Sequence, residues 1–122
     1  MAATTTPNPT VERCIEDCLQ CVRRCSACID ESLTYGPAKM AESVRLCHEC
    51  TPVCGTCSIL LSGNSRFADQ LCRVCAVICD ACADECEKYR DMETMRRCAE
   101  ACRRCAKSCR EVAQSGPIRK AA

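Results

Sequence analysis

The sequence is poor in the side chains that usually fill a protein core. It has no tryptophan, 2 tyrosines and 1 phenylalanine, and its large aliphatic residues are 6 Leu, 5 Ile and 7 Val in a chain of 122 residues. So few large apolar side chains are typical of disordered chains, but those also carry a high net charge, whereas here 17 basic residues nearly balance 16 acidic ones. Another residue type must therefore fill the core.

A second group of absences concerns partners and location. A net charge of +1 without a basic run argues against nucleic acid or an anionic membrane as a partner. Charged residues interrupt every apolar stretch before it reaches the ~20 residues that cross a bilayer. The first ten residues contain neither a basic segment nor an apolar one of signal-peptide length, so we expect a cytoplasmic protein.

Catalytic signatures are also missing. The sequence has no phosphate-binding glycine loop, no paired carboxylates and no nucleophile beside a general base, so we expect no enzyme activity. The single histidine, His48, follows Cys47 one position outside the cysteine pattern described next, and we expect it at the rim. Glu93, Glu100 and Glu111 are interspersed with the basic residues that cluster between Arg96 and Arg110, which indicates a solvated helix face.

What the chain has instead is cysteine, at 18 positions that alternate steps of three and four residues along four segments. This spacing marks the buried stripe of a helix packed against other helices, where apolar residues normally lie. The four stripes contain every cysteine of the chain: Cys14, Cys18, Cys21, Cys25 and Cys28; Cys47, Cys50, Cys54 and Cys57; Cys72, Cys75, Cys79, Cys82 and Cys86; and Cys98, Cys102, Cys105 and Cys109.

The pattern predicts an all-α fold, an antiparallel up-down-up-down four-helix bundle with a cysteine-lined core, in one domain that covers residues 1–122. The predicted helices cover about 8–33, 37–62, 65–89 and 91–114, between flexible tails at 1–7 and 116–122. Their short connections require neighbouring helices to be antiparallel. Asn8 and Asp91 are predicted helix caps, Gly36 and Gly63 are predicted stops, and Pro52 predicts a kink in the second helix.

Antiparallel packing predicts a column of thiols about 14 residues tall, roughly 20 Å, with two different ends. The methionine end collects Cys28, Cys47, Cys86 and Cys98, and beyond them lie Met40 and Met95 in line with the stripes, together with Ser32, Ser43 and Tyr89, while Met92 lies nearby. The aliphatic end collects Cys14, Cys57, Cys72 and Cys109, and beyond them lie Val11, Leu61, Ala68 and Val112, near Leu60 and Phe67. Because thioethers are soft ligands, we expect metal to enter at the methionine end, with Met40 and Met95 as ligands there.

Buried thiols in such number indicate metal binding. Cysteines three or four residues apart on a helix lie too far apart to form a disulfide but can hold one ion between two sulfurs, which suits Cu(I). If each thiolate bridges two ions, roughly one Cu(I) per cysteine fills the core and leaves it nearly neutral. A zinc-buffering protein with tetrahedral thiolate sites is the alternative, and a redox protein with a reactive thiol is a third hypothesis.

The four cysteine stripes, which extend over about residues 8–114, resemble those of the bacterial copper storage proteins. Because no export signal is recognised, the sequence resembles the cytosolic branch of that family more than an exported one. The resemblance implies a four-helix bundle whose cysteines bind many Cu(I) ions, metal access at one end near Met and His residues, and a homotetramer. Met40 and Met95 match that position in the pattern, whereas His48 lies outside it.

Overall fold

Four long helices account for most of the described chain. The structure, a computed structural model, describes residues 8–36 and 38–117. Helix α1 spans Pro9–Tyr35, α2 spans Ala41–Ser62, α3 spans Ala68–Glu87 and α4 spans Glu93–Gln114. The predicted tail at 1–7, most of the tail predicted at 116–122, and the predicted start of the second helix at Pro37 lie outside the described residues.

The helices form a ring in which each contacts two neighbours. α1 packs against α2 and α4, and α3 packs against the same two helices, while in the described part of the chain the diagonal pairs have no Cα atoms within 8 Å of one another. Cys14, near the start of α1, lies beside Cys109, near the end of α4, so these two helices are antiparallel. The predicted all-α four-helix bundle is confirmed.

The first helix begins and ends as the sequence predicts. The Asn8 side chain accepts hydrogen bonds from the amides of Thr10, at 3.0 Å, and Val11, at 3.4 Å, which satisfies two of the free donors at the helix start. Gly36 follows the last turn at φ +144° and donates its amide to the Ser32 carbonyl at 3.2 Å. A positive φ of this kind is favoured at glycine, which has no Cβ atom.

The second helix starts later than predicted, at Ala41, because residues 38–40 form a turn before it. It passes through Pro52 as one continuous helix and stops at Gly63, as predicted. The kink at Pro52 stays a prediction. The connection between α2 and α3 is also longer than predicted. The Ser65 hydroxyl accepts a hydrogen bond of 3.1 Å from the Phe67 amide, and α3 begins only after this turn.

The predicted cap of the fourth helix is wrong. Met92, and not Asp91, occupies the N-cap position of α4, and its side chain makes no capping hydrogen bond. The reason is a further turn after α3, closed by a hydrogen bond of 2.9 Å from the Met92 amide to the Tyr89 carbonyl. The helix therefore starts with its amides unsatisfied by a side chain.

The outer surface of α4 carries paired charges. Arg96 bonds to Glu100 at 2.9 Å, Arg97 bonds to Glu93 at 2.8 Å, and Arg103 reaches across to Asp84 of α3 at 2.6 Å. These arginines lie at the surface, as the interspersed glutamates predict. Within the described ranges, no helix has the length and apolar character needed to cross a membrane.

Candidate metal centre

The interior of the bundle is made of thiols. All 18 cysteines have 0% exposed surface, and every one is free of a disulfide. Apart from the cysteines, most buried apolar side chains are alanines. Among the described residues, Met95 and Val112 are the largest side chains that are fully buried. The stripes predicted from spacing therefore lie where the sequence places them, facing one another inside the ring.

Cys21 shows how closely thiols from different helices approach. Its sulfur lies 3.5 Å from that of Cys50 on α2, 3.9 Å from that of Cys79 on α3 and 3.6 Å from that of Cys102 on α4. Cys25, one turn along α1, is 3.9 Å away. One sulfur thus contacts thiols from every other helix, including the diagonal one, and a metal ion bound there would have ligands on several sides.

Sulfur atoms also gather in groups of four that lie within 4.8 Å of one another. Cys21, Cys25, Cys98 and Cys102 each belong to two groups, so four of the five groups named below overlap. The fifth, which contains Cys75, is joined to them by a contact of 3.5 Å between the sulfurs of Cys54 and Cys75, and the array is continuous. Such an array suits ions that share bridging thiolates more than it suits separate sites. Five of the groups are Cys18, Cys57, Cys75 and Cys109; Cys21, Cys54, Cys79 and Cys105; Cys21, Cys25, Cys50 and Cys102; Cys25, Cys82, Cys98 and Cys102; and Cys28, Cys47, Cys86 and Cys98.

The thiols differ in acidity because each one hydrogen-bonds to others. Donation from neighbouring thiols, with Cys109 the largest contributor, lowers the pKa of Cys57 to about 6. Cys102 is likewise the main cause that lowers the pKa of Cys82 to about 7. The reverse holds for Cys25, whose pKa is raised because its own proton is shared with Cys102 and because burial disfavours a thiolate. A thiol must lose its proton to ligate, so filling this core with metal would release protons.

The methionine end has the composition predicted for it. Cys28, Cys47, Cys86 and Cys98 form one of the groups of four, and Met95, with 0% exposed surface, lies directly above them. The Cys28 thiol donates to the Met95 sulfur at 3.1 Å. The soft donors of this end therefore continue from thiol to thioether without a gap.

Other polar groups surround that end. Ser32 and Ser43 are fully buried, and the Ser43 hydroxyl has no hydrogen-bond partner among the described residues. Met40 is 4% exposed and Met92 is half-buried. His48 points outward and is exposed, so the one histidine lies away from the sulfur column.

The aliphatic end is closed by Leu61, Ala68 and Val112, which are 3%, 0% and 1% exposed. Val11 is half-buried against them, but Phe67 is 54% exposed and contributes little to the closure.

Asp69 is the residue that sequence reasoning missed at this end. It is only 5% exposed, and its Oδ1 has no hydrogen-bond partner among the described residues. Asp69 follows Ala68, the residue that continues the cysteine stripe, and lies three residues before Cys72, at the edge of that stripe. This position is the signal that could have revealed it. The predicted aliphatic residues therefore close this end, with one buried carboxylate among them.

Comparisons with known proteins agree with this geometry. A family profile described as "Copper storage protein" matches residues 8–114. The Cu(I)-bound copper storage protein BsCsp3 superposes with a TM-score of 0.80 at 34% identity, over 85% of this chain and 98% of that one. A cytosolic copper storage protein from Streptomyces lividans, solved during copper loading with five coppers, gives a TM-score of 0.78 at 36% identity, over 86% and 92% of the two chains.

A sequence relative is less informative. The uncharacterized cysteine-rich protein YhjQ of Bacillus subtilis is 35% identical over 69 residues. The match spans 53% of this chain and 61% of that protein's length.

Proposed function

Because this chain belongs to the copper storage protein family, we propose that it stores Cu(I) in the cytoplasm, bound by its interior thiols at roughly one ion per cysteine. It is a copper store and not an enzyme. The cytoplasmic assignment is supported by the similarity to the cytosolic protein of Streptomyces lividans. The ligands proposed are the 18 cysteines, with Met40 and Met95 as further soft donors at the methionine end.

The observation that carries the proposal is the overlap between the sulfur groups. Among the five groups named above, no more than three can be filled at once without sharing a sulfur, because Cys21, Cys25, Cys98 and Cys102 each serve two. Ions that require four separate ligands would leave many thiols unused. Cu(I), which accepts two or three soft ligands and bridging thiolates, can use all of them.

Charge favours the same ion. A dry core of thiolates is costly unless each negative charge is balanced, and one Cu(I) per thiolate brings the sum close to zero. A Zn(II) ion with four unshared thiolates leaves a net charge of −2 in the interior. The groups of four do offer Zn(II) a tetrahedral set of donors, so zinc binding is a second candidate activity of the metal-free protein.

We expect the methionine end to be where copper enters. Met95 touches the outermost group of thiols, and Met40, the N-cap residue of α2, is 4% exposed. The opposite end is closed by packed aliphatic side chains, which offer Cu(I) no ligand. A neutral thioether binds a soft cation without holding it as firmly as a thiolate does, which suits a point of transfer.

Copper capacity tests the proposal. Anaerobic titration of the reduced protein against a chromophoric Cu(I) chelator is expected to show well over ten tightly held ions per chain, as one bridging ion per thiolate requires. A capacity of about three or four ions would contradict it and would favour separate sites. The same protein is then titrated with Zn(II) and challenged with Cu(I). Zinc that copper does not displace would favour the zinc-buffering alternative.

We further propose that the protein assembles as a homotetramer. Ile59, Phe67 and Val74 are exposed by 70%, 54% and 51%, and a groove of about 400 Å³ between α2 and α3 is lined by uncharged side chains, Thr56, Leu60, Phe67, Gln70, Leu71 and Val74. No charged residue occurs between positions 50 and 65. An exposed apolar surface of this kind marks a contact with another protein, and a second copy offers a matching uncharged surface.

Charge introduced on this surface is expected to break the assembly. Val74→Glu places a carboxylate in the groove, and light scattering after gel filtration should report a smaller particle than for the wild type because a buried unpaired charge is costly. Val77→Glu is the matched control, since Val77 is 69% exposed on the same helix but lines a different groove, next to Arg110. Equal masses for all three proteins would refute this surface as the contact.

A further inference from the structure

The sulfur column is sealed at both ends in this structure. Every cysteine has 0% exposed surface, and the two methionines above the column are 0% and 4% exposed. A copper ion therefore cannot reach a thiol unless part of the protein moves. The question is which part, and the two ends differ in how firmly they are held.

The turn between α3 and α4, residues 88–92, lies over the methionine end. Among the described residues, its lysine and arginine bond to carboxylates three positions earlier in the chain: Lys88 to Glu85 at 2.9 Å, and Arg90 to Glu87. One side-chain hydrogen bond ties the turn to another part of the bundle, since the Tyr89 hydroxyl donates to the Lys39 carbonyl at 3.4 Å. Among the described residues of this turn, Tyr89 alone makes such a bond.

The helix that follows the turn is weakly anchored at its start. Met92 occupies the N-cap of α4 and makes no side-chain hydrogen bond to the first turn. The starts of α2 and α3 lack a side-chain cap as well, whereas the Asn8 side chain accepts two hydrogen bonds at the start of α1. A missing cap leaves the first amides of a helix without intramolecular partners and favours fraying. Met95, which covers the column, lies in that first turn. Fraying there would therefore uncover the outermost thiols.

A buried polar group also favours opening. The Ser43 hydroxyl, at the start of α2, has 0% exposed surface and no partner among the described residues. An unpaired hydroxyl in a dry interior is destabilising, and water admitted by an open end would satisfy it. The aliphatic end contains a comparable unpaired atom, Asp69 Oδ1, so this group alone does not distinguish the two ends. What distinguishes the aliphatic end is its closure by Leu61 and Val112, 3% and 1% exposed, which offer a copper ion no ligand on its path.

We propose that the turn at residues 88–92, together with the first turn of α4, is a gate that opens to admit Cu(I), and that the bond from Tyr89 to the Lys39 carbonyl is its clasp. This inference rests on the proposed copper storage and concerns the rate of uptake, not the capacity. Tyr89 acts as a positioning residue: it holds the gate closed and does not bind the ion. Opening moves Met95 away from Cys28 and gives the ion a path from thioether to thiol.

Removing the clasp should accelerate uptake. Tyr89→Phe keeps the ring but loses the hydroxyl, and the loss of one hydrogen bond is expected to speed Cu(I) uptake from a chelator roughly two- to tenfold in stopped-flow measurements. Amide exchange at residues 93–96 should quicken as well, while the final capacity stays at the wild-type value. Tyr35→Phe is the matched control, because Tyr35 is 73% exposed and lies outside the gate.

Strengthening the start of α4 should act in the opposite direction. Met92→Ser supplies a capping hydroxyl, and Met92→Leu removes the same thioether without adding a cap, so the two variants are compared with each other. We expect the serine variant to take up Cu(I) roughly fivefold more slowly than the leucine variant, as a typical N-cap contribution implies.

The outcomes separate the gate from the function on which it rests. If Tyr89→Phe matches Tyr35→Phe and Met92→Ser matches Met92→Leu in rate, with full capacity in all four, the gate is refuted and copper storage stands. If the wild type itself holds only a few ions, the storage proposal has failed first. A change of capacity with Tyr89→Phe would also overturn the gate, because a clasp that binds no copper cannot alter it.

Discussion

Copper-loaded protein is expected to unfold at a temperature at least about 10 °C above that of the metal-free protein. A site filled at about 1,000 times its Kd contributes about 4 kcal/mol to the free energy of unfolding. For a chain of this size, each kcal/mol raises Tm by roughly 3–6 °C. A single tightly held ion would therefore produce the shift, and many ions should exceed it.

The apoprotein is the reason that the effect should be large. Its core consists of cysteine and alanine, with few larger side chains such as Met95, Val112 and Leu61, and small side chains remove little apolar area from water. Bridging ions would also link helices that the metal-free core holds only by weak thiol contacts, such as the 3.9 Å contact between Cys21 and Cys79.

Differential scanning calorimetry or circular dichroism under anaerobic conditions, with and without Cu(I), measures this shift. The control is loaded protein from which a Cu(I) chelator has withdrawn the metal, and its melting temperature should return to the metal-free value. Equal melting temperatures for the loaded and metal-free protein would contradict binding inside the bundle, and would indicate that copper is held at the surface.

The second large effect is expected when one layer of thiols is removed. The variant changes all four members of a group contributed by the four helices to alanine, a residue that favours helices and contains no ligand. Its capacity for Cu(I) should fall by at least about four ions, as one ion per cysteine implies. The four substitutions are Cys21→Ala, Cys54→Ala, Cys79→Ala and Cys105→Ala.

The remaining capacity is as informative as the loss. Two groups at the ends, which begin with Cys18 and with Cys28, share no sulfur with the removed layer and should still fill. The matched control is Ser58→Ala with Ser108→Ala, since both hydroxyls are buried and bond to backbone carbonyls of their own helices. An unchanged capacity in the quadruple variant, or a loss in the serine control, would contradict thiolate ligation in the core.

Much of the fold and of the centre is predictable from local sequence. Asn8 before Pro9, and Gly36 after the last turn, identify the ends of α1 because capping depends on residues within a few positions of each other. The starts of α3 and α4 are harder. Ser65 and Tyr89 hold turns that delay each helix, and these turns depend on how the preceding helix ends and packs.

The two ends of the bundle illustrate the same division. Counting along the stripes correctly places Met95 next to Cys28, because antiparallel packing brings the start of α4 beside the end of α1. Asp69 lies near the stripe in sequence, but a carboxylate is normally at the surface, and the packing of α3 in the bundle decides that it is buried.

By itself, the sequence determined that four helices would form and that every cysteine would face inward, because the spacing of residues on one helix is a property of that helix alone. The tertiary structure alone decided which sulfurs meet. Whether Cys21 touches Cys50, Cys79 or Cys102 depends on the rotation and axial shift of three other helices, and these follow from the packing of all four together. The clasp at Tyr89 has the same origin, since its partner at Lys39 is 50 residues away in the chain.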